Sequence, residues 1–367
     1  MSEDATKKTI ILHIGRHKTG TTSIQGTFKA NIQRLRERGV FYPKSLPGCH
    51  SAFLIDAFSH VAERHPVHNK TGRTRAQIQN DTKDRLSKIR GELHHFHGDK
   101  VVFSGEDACM SLREPDLRHL KATMQDLCGE DIDFKVLLYT RDPIARAESG
   151  TQQLIKANQL TEEDARIFAL RGDGKRYRAI YDTYAAVFGD KAIEFRSYEV
   201  ACSKDLIKDF FSAIDVSPDD LKPLKRPQNE RISAEVLRFL SWLYEGPRVS
   251  MSPAPQQHRK TRAPLSPEEK QLLFGIKGAW PRFFSYAEQM QIWEEVAEDM
   301  RFLQERFGIT YEPPQASEDE EEPKLFGPTF MTGLEQAFPH LNAALQNEVK
   351  RFLREQGVEP FPLSTVG

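Results

Sequence analysis

The sequence predicts an α/β fold in which a central parallel sheet of about five strands is sandwiched between helices, with further helices toward the C-terminus. Three observations predict it. Four short apolar runs, at 9–14, 101–104, 134–140 and 192–195, have the length of buried strands rather than of core helices. Helical patterns lie between them, including 22–38 and 81–96. The first run also passes through a glycine-bearing turn straight into a helix start. Strands separated by helices pair in parallel through crossovers and bury both faces of the sheet. Ligands of such sheets sit at the carboxyl ends of the strands, so the residues after each run matter most.

After the first run, TIILHI, comes GRHKTGTTSIQ at 15–25. Gly15 and Gly20 permit backbone conformations closed to other residues. Thr21, Thr22 and Ser23 are residue types that cap a helix and leave its free N–H groups aimed at an anion. Lys18 adds a mobile positive charge. This plan is P-loop-like but is not a Walker A motif, which ends in Gly-Lys-Ser/Thr with the lysine on the β/γ-phosphates and the hydroxyl on magnesium. Here Lys18 precedes Gly20. A mononucleotide with a 5' anionic chain is implied, and triphosphate hydrolysis is not. The plain alternative is a capped helix without ligand, but a cap needs one Ser or Thr, not a lysine between two glycines.

The helix expected at 22–38 leads to a Tyr-Pro turn and to His50 in GCHSAF. The second run, VVFS, is followed by Gly105 and Glu106. The third, FKVLLYT, ends at Arg141, where the sheet rule places ligands, and Pro143 suits the first turn of a helix carrying Ser149. Arg141 paired with Asp142, and Ser149 as an ordinary helical serine, is the competing reading of that segment. The fourth run, AIEF, precedes Tyr198 and Glu199. Past Lys225 the pattern changes. Amphipathic helices are expected at 231–243 and 289–307, a Pro/Ser/basic loop at 247–267, a solvated acidic run (SEDEEE) at 317–322 and a last helix at 333–356. These divide the chain into a main domain at 1–312, a linker at 313–330 and a helical tail at 331–367, the tail offering a route to homo-oligomers.

The loop GRHKTGTTSIQ resembles the 5'-phosphosulfate loop of the sulfotransferase family, in particular its bacterial carbohydrate-type branch. Arg141, Asp142-Pro143 and Ser149 are similar to that family's second motif, which grips the 3'-phosphate of the donor. The resemblance implies 3'-phosphoadenosine-5'-phosphosulfate (PAPS) as co-substrate and its desulfated form (PAP) as product, with no metal. It implies that Lys18 binds the bridging oxygen and that Arg16, His17, Thr19, Gly20, Thr21, Thr22 and Ser23 line the donor site. Tyr198, and Arg226, Asn229 and Arg231 in RPQNER, resemble further donor contacts; a helix entry capped by Asn229 is the other reading of that segment. The expected acceptor is a hydroxyl on a sugar-containing molecule, read by loops at 43–75 and 247–267.

The acceptor must lose a proton, which calls for His or Glu near the sulfur. His50 and Glu106 are the candidates, with His50 favoured as base and Glu106 as an acceptor-site or lysine-orienting carboxylate. Against them stand structural roles: Glu106 as a cap or a partner of Arg113, His50 as a cap. His13 is expected under the sheet. The neighbouring His94 and His95 point in different directions along a helix and lack an acidic partner, which speaks against a metal.

Composition limits the rest. The chain has 367 residues, 52 basic against 53 acidic, so its net charge of -1 names no partner. No basic stripe interleaved with aromatics marks nucleic-acid binding. No run approaches the roughly 18 apolar residues of a membrane span. Cys49, Cys109, Cys128 and Cys202 form no CxxC pair, and the first apolar run is too short for a signal h-region, so a cytoplasmic protein is expected. A P-loop kinase or NTPase and a catalytically dead nucleotide-binding adaptor are the competing functions.

Overall fold

The structure is a computed structural model, and it describes residues 7–65, 68, 71–157, 160–172, 176–222, 232–244, 261–316 and 324–359. The chain divides into two compact units that interleave along the sequence. One comprises Met1–Asp142, Gly174–Pro227 and Val296–Glu312; the other comprises Pro143–Asp173, Gln228–Glu295 and Pro313–Gly367. Residues 143–173 and 228–295, expected within a 1–312 domain, therefore group with the tail.

The first unit holds the sheet. Its five strands are β1 (Lys8–His13), β2 (Val40–Phe41), β3 (Lys100–Ser104), β4 (Ile132–Thr140) and β5 (Ile193–Ser197), ordered β2-β3-β1-β4-β5. All pairings are parallel, with Ile11 opposite Val102 and Leu12 opposite Val136. Ile10, Ile11 and Leu12, Val101 to Phe103 and Val136 to Tyr139 are each at most 1% exposed. That two-sided burial is why they appear in the sequence as unbroken apolar runs and not as alternating ones. β1 is central: the chain leaves it for β2 and β3 on one side and reaches β4 and β5 on the other. The carboxyl end of β1 is thus the switch point at which such sheets bind ligands.

Local chemistry moves several boundaries. β2 is only two residues long and leaves no apolar run to detect. The helix expected at 22–38 is two, α1 (Thr21–Ala30) and α2 (Ile32–Glu37). Asn31 breaks it: the buried amide donates to the carbonyls of Thr27 (2.8 Å) and Lys222 (3.1 Å), and its oxygen accepts the Lys222 N–H at 2.7 Å. The helix expected from 81 begins at Arg75, because Thr74 and Gln77 form a capping box one and a half turns earlier. α3 (Ser51–Phe58) follows His50.

The second unit is helical. Its core joins Ile155, Leu240, Leu243, Leu345 and Leu353, all fully buried. The last helix is again two, Pro328–Ala337 and Ala343–Glu355, parted by a turn that contains Pro339. Proline has no N–H to continue the ladder, and the Asn342 side chain caps the second helix by accepting the Leu345 N–H at 3.0 Å. Val349, Phe352 and Leu353 place the apolar face of the tail inside this unit. The acidic run at 317–322 and most of the loop expected at 247–267 lie outside the described residues. Among the described residues no helix is long and apolar enough to cross a membrane.

Phe28 anchors the sheet-covering face of α1, fully buried and stacked against Tyr42 (centroids 4.7 Å apart) and Phe211 (5.1 Å). Phe28→Ala is expected to cost about 3–5 kcal/mol of stability. Urea unfolding monitored by circular dichroism checks this, and a loss under about 1 kcal/mol would contradict the packing.

Candidate functional site

The turn after β1 is fixed by what cannot fit in it. A Cβ at Gly15 would lie 2.8 Å from Thr21 Cγ2 and 2.9 Å from His13 Nε2. Gly20 has φ +74°, and a Cβ there would lie 2.2 Å from Leu206 Cδ2. Lys18 is left-handed too, at φ +69°, a conformation that costs a non-glycine residue about 1–2 kcal/mol. Two hydrogen bonds hold the turn in that shape. Thr19 Oγ1 donates to the Arg16 carbonyl at 2.6 Å, and Arg141 Nη1 donates to the Lys18 carbonyl at 2.6 Å.

Gly20 is the N-cap of α1, and no side chain caps the helix. Thr21, Thr22 and Ser23, expected to supply the cap, lie inside the helix and do not. The Ser23 and Ile24 amides turn back to the Gly20 carbonyl (3.0 and 3.2 Å), while the Thr21 hydroxyl donates to the Glu106 carboxylate. An uncapped N-terminus with a lysine beside it is a positive anion cradle. Arg16 is buried, with its guanidinium 5.1 Å over the Tyr177 ring, so its side chain packs in the core.

Arg141, at the end of β4, joins the second motif to the first. Besides its bond to Lys18, its guanidinium lies 5.2 Å over the Tyr198 ring and 3.9 Å from Glu199. Tyr198 in turn packs under the loop, 3.0 Å from where a Gly20 Cβ would stand. Burial first, then Cys202, pushes the Tyr198 hydroxyl up to about 12. Glu199 accepts the Asp142 N–H at 3.1 Å and the Tyr311 hydroxyl at 3.2 Å, and Tyr311 also bonds Thr140 Oγ1 at 2.8 Å. Tyr311 has no sequence signal; it lies 171 residues beyond Thr140, the end of the strand it braces.

Glu106, just past β3, comes to the mouth of the loop. Its Oε2 accepts from Thr21, and His17 Nδ1 stands 3.4 Å from its Oε1, while His17 Nε2 lies 2.8 Å from Asp107 Oδ1. Asp107 was not singled out by the sequence, although its adjacency to Glu106 was there to see. These bonds drive His17 up to about 10, the Asp107 contact contributing most and the Glu106 contact next. Burial raises the Glu106 carboxyl, but the His17 and Thr21 hydrogen bonds outweigh it and leave the pKa below the ordinary value.

His50 does not reach the loop. It is fully buried, its ring 4.3 Å from Tyr42 and its Nδ1 accepting the Ser104 N–H at 3.2 Å. Burial, with Lys29 second, pulls it down to about 3, so it stays neutral, and its buried Nε2 has no hydrogen-bond partner among the described residues. It stands at the N-cap position of α3 without capping it. These contacts give His50 an interior packing role, and its lowered basicity favours Glu106 over it as the expected base. His13 is likewise buried, with Nδ1 2.8 Å from Ser104 Oγ, and burial lowers it to about 4. Ser149 lies on the helix Pro143–Lys156 in the second unit. Arg226, Asn229 and Arg231 fall outside the described residues.

No protein-family model matches the chain, and comparison with curated proteins gives no match. Among solved structures the chain is similar to a sulfotransferase from Alicyclobacillus acidocaldarius, with 15% identity and a TM-score of 0.33 over 59% of this chain and 85% of that one. It is also similar to a sulfotransferase domain from the curacin biosynthetic pathway, with 13% identity and a TM-score of 0.33 over 60% of this chain and 79% of that one.

His13 and His50 are neutral when folded and titrate near 6.5 when unfolded. Between pH 6.5 and about 4 the unfolded chain binds more protons, so stability falls as pH is lowered, by about 1.4 kcal/mol per unit for each ring. His17 has the opposite sign: its contribution is complete below pH 6.5 and is lost as pH rises through about 10, and exposure of the ring keeps it small. Urea unfolding at pH 6.5, 5.75 and 5 should show the acid loss, with a shallower slope in His50→Gln. A pH-independent stability across that window would contradict it.

Proposed function

We propose that the chain is a PAPS-dependent sulfotransferase that sulfates a hydroxyl of a carbohydrate or glycoconjugate. One observation carries the reading: the Arg141 guanidinium hydrogen-bonds the Lys18 carbonyl, so residues of two motifs 123 positions apart meet at the carboxyl ends of β1 and β4. The residues suit a nucleotide with anions at both ends of its ribose. Loop amides from Thr19 to Thr22 and the uncapped start of α1 take the 5'-phosphate. Arg141 has further donors for a 3'-phosphate.

PAPS supplies an activated sulfuryl group joined to a good leaving group. Lys18 holds the bridging oxygen and neutralises the charge that develops on the 5'-phosphate as its bond to sulfur breaks. Glu106 accepts the proton of the acceptor hydroxyl as that oxygen forms its bond to sulfur, giving a sulfate monoester and PAP. Positioning and charge stabilisation then account for catalysis, as in phosphoryl transfer, and Lys18 with the helix N-terminus provides the positive field in place of a metal. Cys49, Cys109, Cys128 and Cys202, far apart in the chain and without a CxxC pair, suit a cytoplasmic enzyme.

Thermal shifts with PAP, 5'-ADP and ATP-magnesium test the donor. Saturation at about 100 times Kd adds about 2.7 kcal/mol, so PAP alone should raise the melting temperature. A rise with ATP-magnesium alone would replace this reading with a kinase. Lys18→Ala is expected to lower PAPS turnover at least about a hundredfold without unfolding the chain, and wild-type turnover would remove the lysine from the mechanism. Arg141→Ala should weaken PAP at least about tenfold more than 5'-ADP, measured by calorimetry; equal losses would reduce Arg141 to a brace for the loop.

A further inference from the structure

His17 is the one ionisable ring on the loop, and its surroundings are specific. Both nitrogens face carboxylates: Nε2 is 2.8 Å from Asp107 Oδ1 and Nδ1 is 3.4 Å from Glu106 Oε1. A neutral imidazole has one N–H and can donate to only one of them, so an arrangement that serves both requires the imidazolium. The two carboxylates are held from elsewhere. Glu106 Oε2 accepts from Thr21 at the start of α1, and the Asp107 N–H donates to Ser51 Oγ at 3.2 Å, at the start of α3. The ring is 62% exposed and so open to solvent beside the loop. Other titratable groups near this cluster are His65, which interacts with Asp107, and His13, which interacts with Glu106 from below.

We propose that His17 is a positioning residue whose imidazolium clamps the Glu106 carboxylate against Thr21, with Asp107 as the counter-carboxylate that keeps the ring charged. This rests on the reading of Glu106 as the acceptor of the hydroxyl proton. The clamp does two things. It directs one oxygen of Glu106 to the ring and the other to the first residue of α1, which fixes the carboxylate relative to Lys18. It also supplies a compensating positive charge where two carboxylates adjoin a site for a polyanion, which they would otherwise repel. The chemistry follows: with the ring charged, Glu106 is ionised at neutral pH and meets the acceptor as a hydrogen-bond acceptor. Without the ring's charge, Glu106 and Asp107 repel each other and the Glu106 pKa rises.

The test uses the full chain and two readouts. The Cε1–H resonance of His17, assigned by its loss in His17→Gln, is followed by NMR against pH. The ring should remain imidazolium beyond pH 8, and Asp107→Asn should lower its midpoint by at least about one unit. A wild-type midpoint near 6.5, or one that Asp107→Asn leaves in place, overturns the proposal. In parallel, sulfate release from PAPS with water as acceptor is measured against pH for wild type, His17→Gln and His17→Lys. His17→Gln should lower kcat at least about tenfold with the donor KM nearly unchanged and the acidic limb moved to higher pH, and His17→Lys should restore most of the loss. An unaltered kcat and acidic limb in His17→Gln would overturn it. A wild-type chain that neither binds PAP nor splits PAPS defeats the donor assignment instead, and the ring titration still decides the clamp.

Discussion

The hydrogen bond from Arg141 to the Lys18 carbonyl is the contact on which the site depends. It spans two adjacent strands, β1 and β4, and holds a lysine in a left-handed conformation that its own side chain disfavours. The packing around the turn leaves no cheaper arrangement. Gly15 and Gly20 are each pressed against side chains that a Cβ would strike, and Leu206 and Tyr198 fill the space under Gly20. The sheet order makes this contact possible, because β1 ends between its two neighbours at the switch point.

Arg141 is itself constrained from three directions. The Tyr198 ring lies beneath its guanidinium, Glu199 stands near Nε, and the Tyr177 hydroxyl accepts its backbone N–H at 3.1 Å. Tyr311 and Asp142 then bond Glu199. A cation fixed by a ring, a carboxylate and a backbone carbonyl loses little further freedom when it meets an anion, which is the physical content of preorganisation.

Charge on the other flank of the loop is balanced differently. Glu106 and Asp107 bring negative charge beside an anion cradle, and the His17 ring between them offsets part of it. Beneath, Ser104 links two neutral histidines: its hydroxyl meets His13 and its N–H meets His50. Burial keeps those two rings uncharged, whereas carboxylates keep His17 charged. The same side chain thus serves as packing below the sheet's end and as a cation above it, and its surroundings decide which.

The sheet and the loop can be read from residue order alone. Strands buried on both faces must be apolar, so β1, β3 and the second half of β4 were legible; the edge strand β5 showed through Ile193 and Phe195, while the two residues of β2 were too few to leave a pattern. GRHKTGTTSIQ carried its chemistry in adjacent residues, as did Arg141 at a strand end. Tertiary structure decided what depends on contacts distant in the chain. Asn31 ended α1 because Lys222 reached it, and residues 143–173 and 228–295 joined the tail because their apolar faces meet there. His50 was drawn into the core and His17 set between carboxylates for the same reason. Residue type and spacing specify which groups are available, whereas burial and ionisation are properties of neighbours, and neighbours are chosen only when the chain folds.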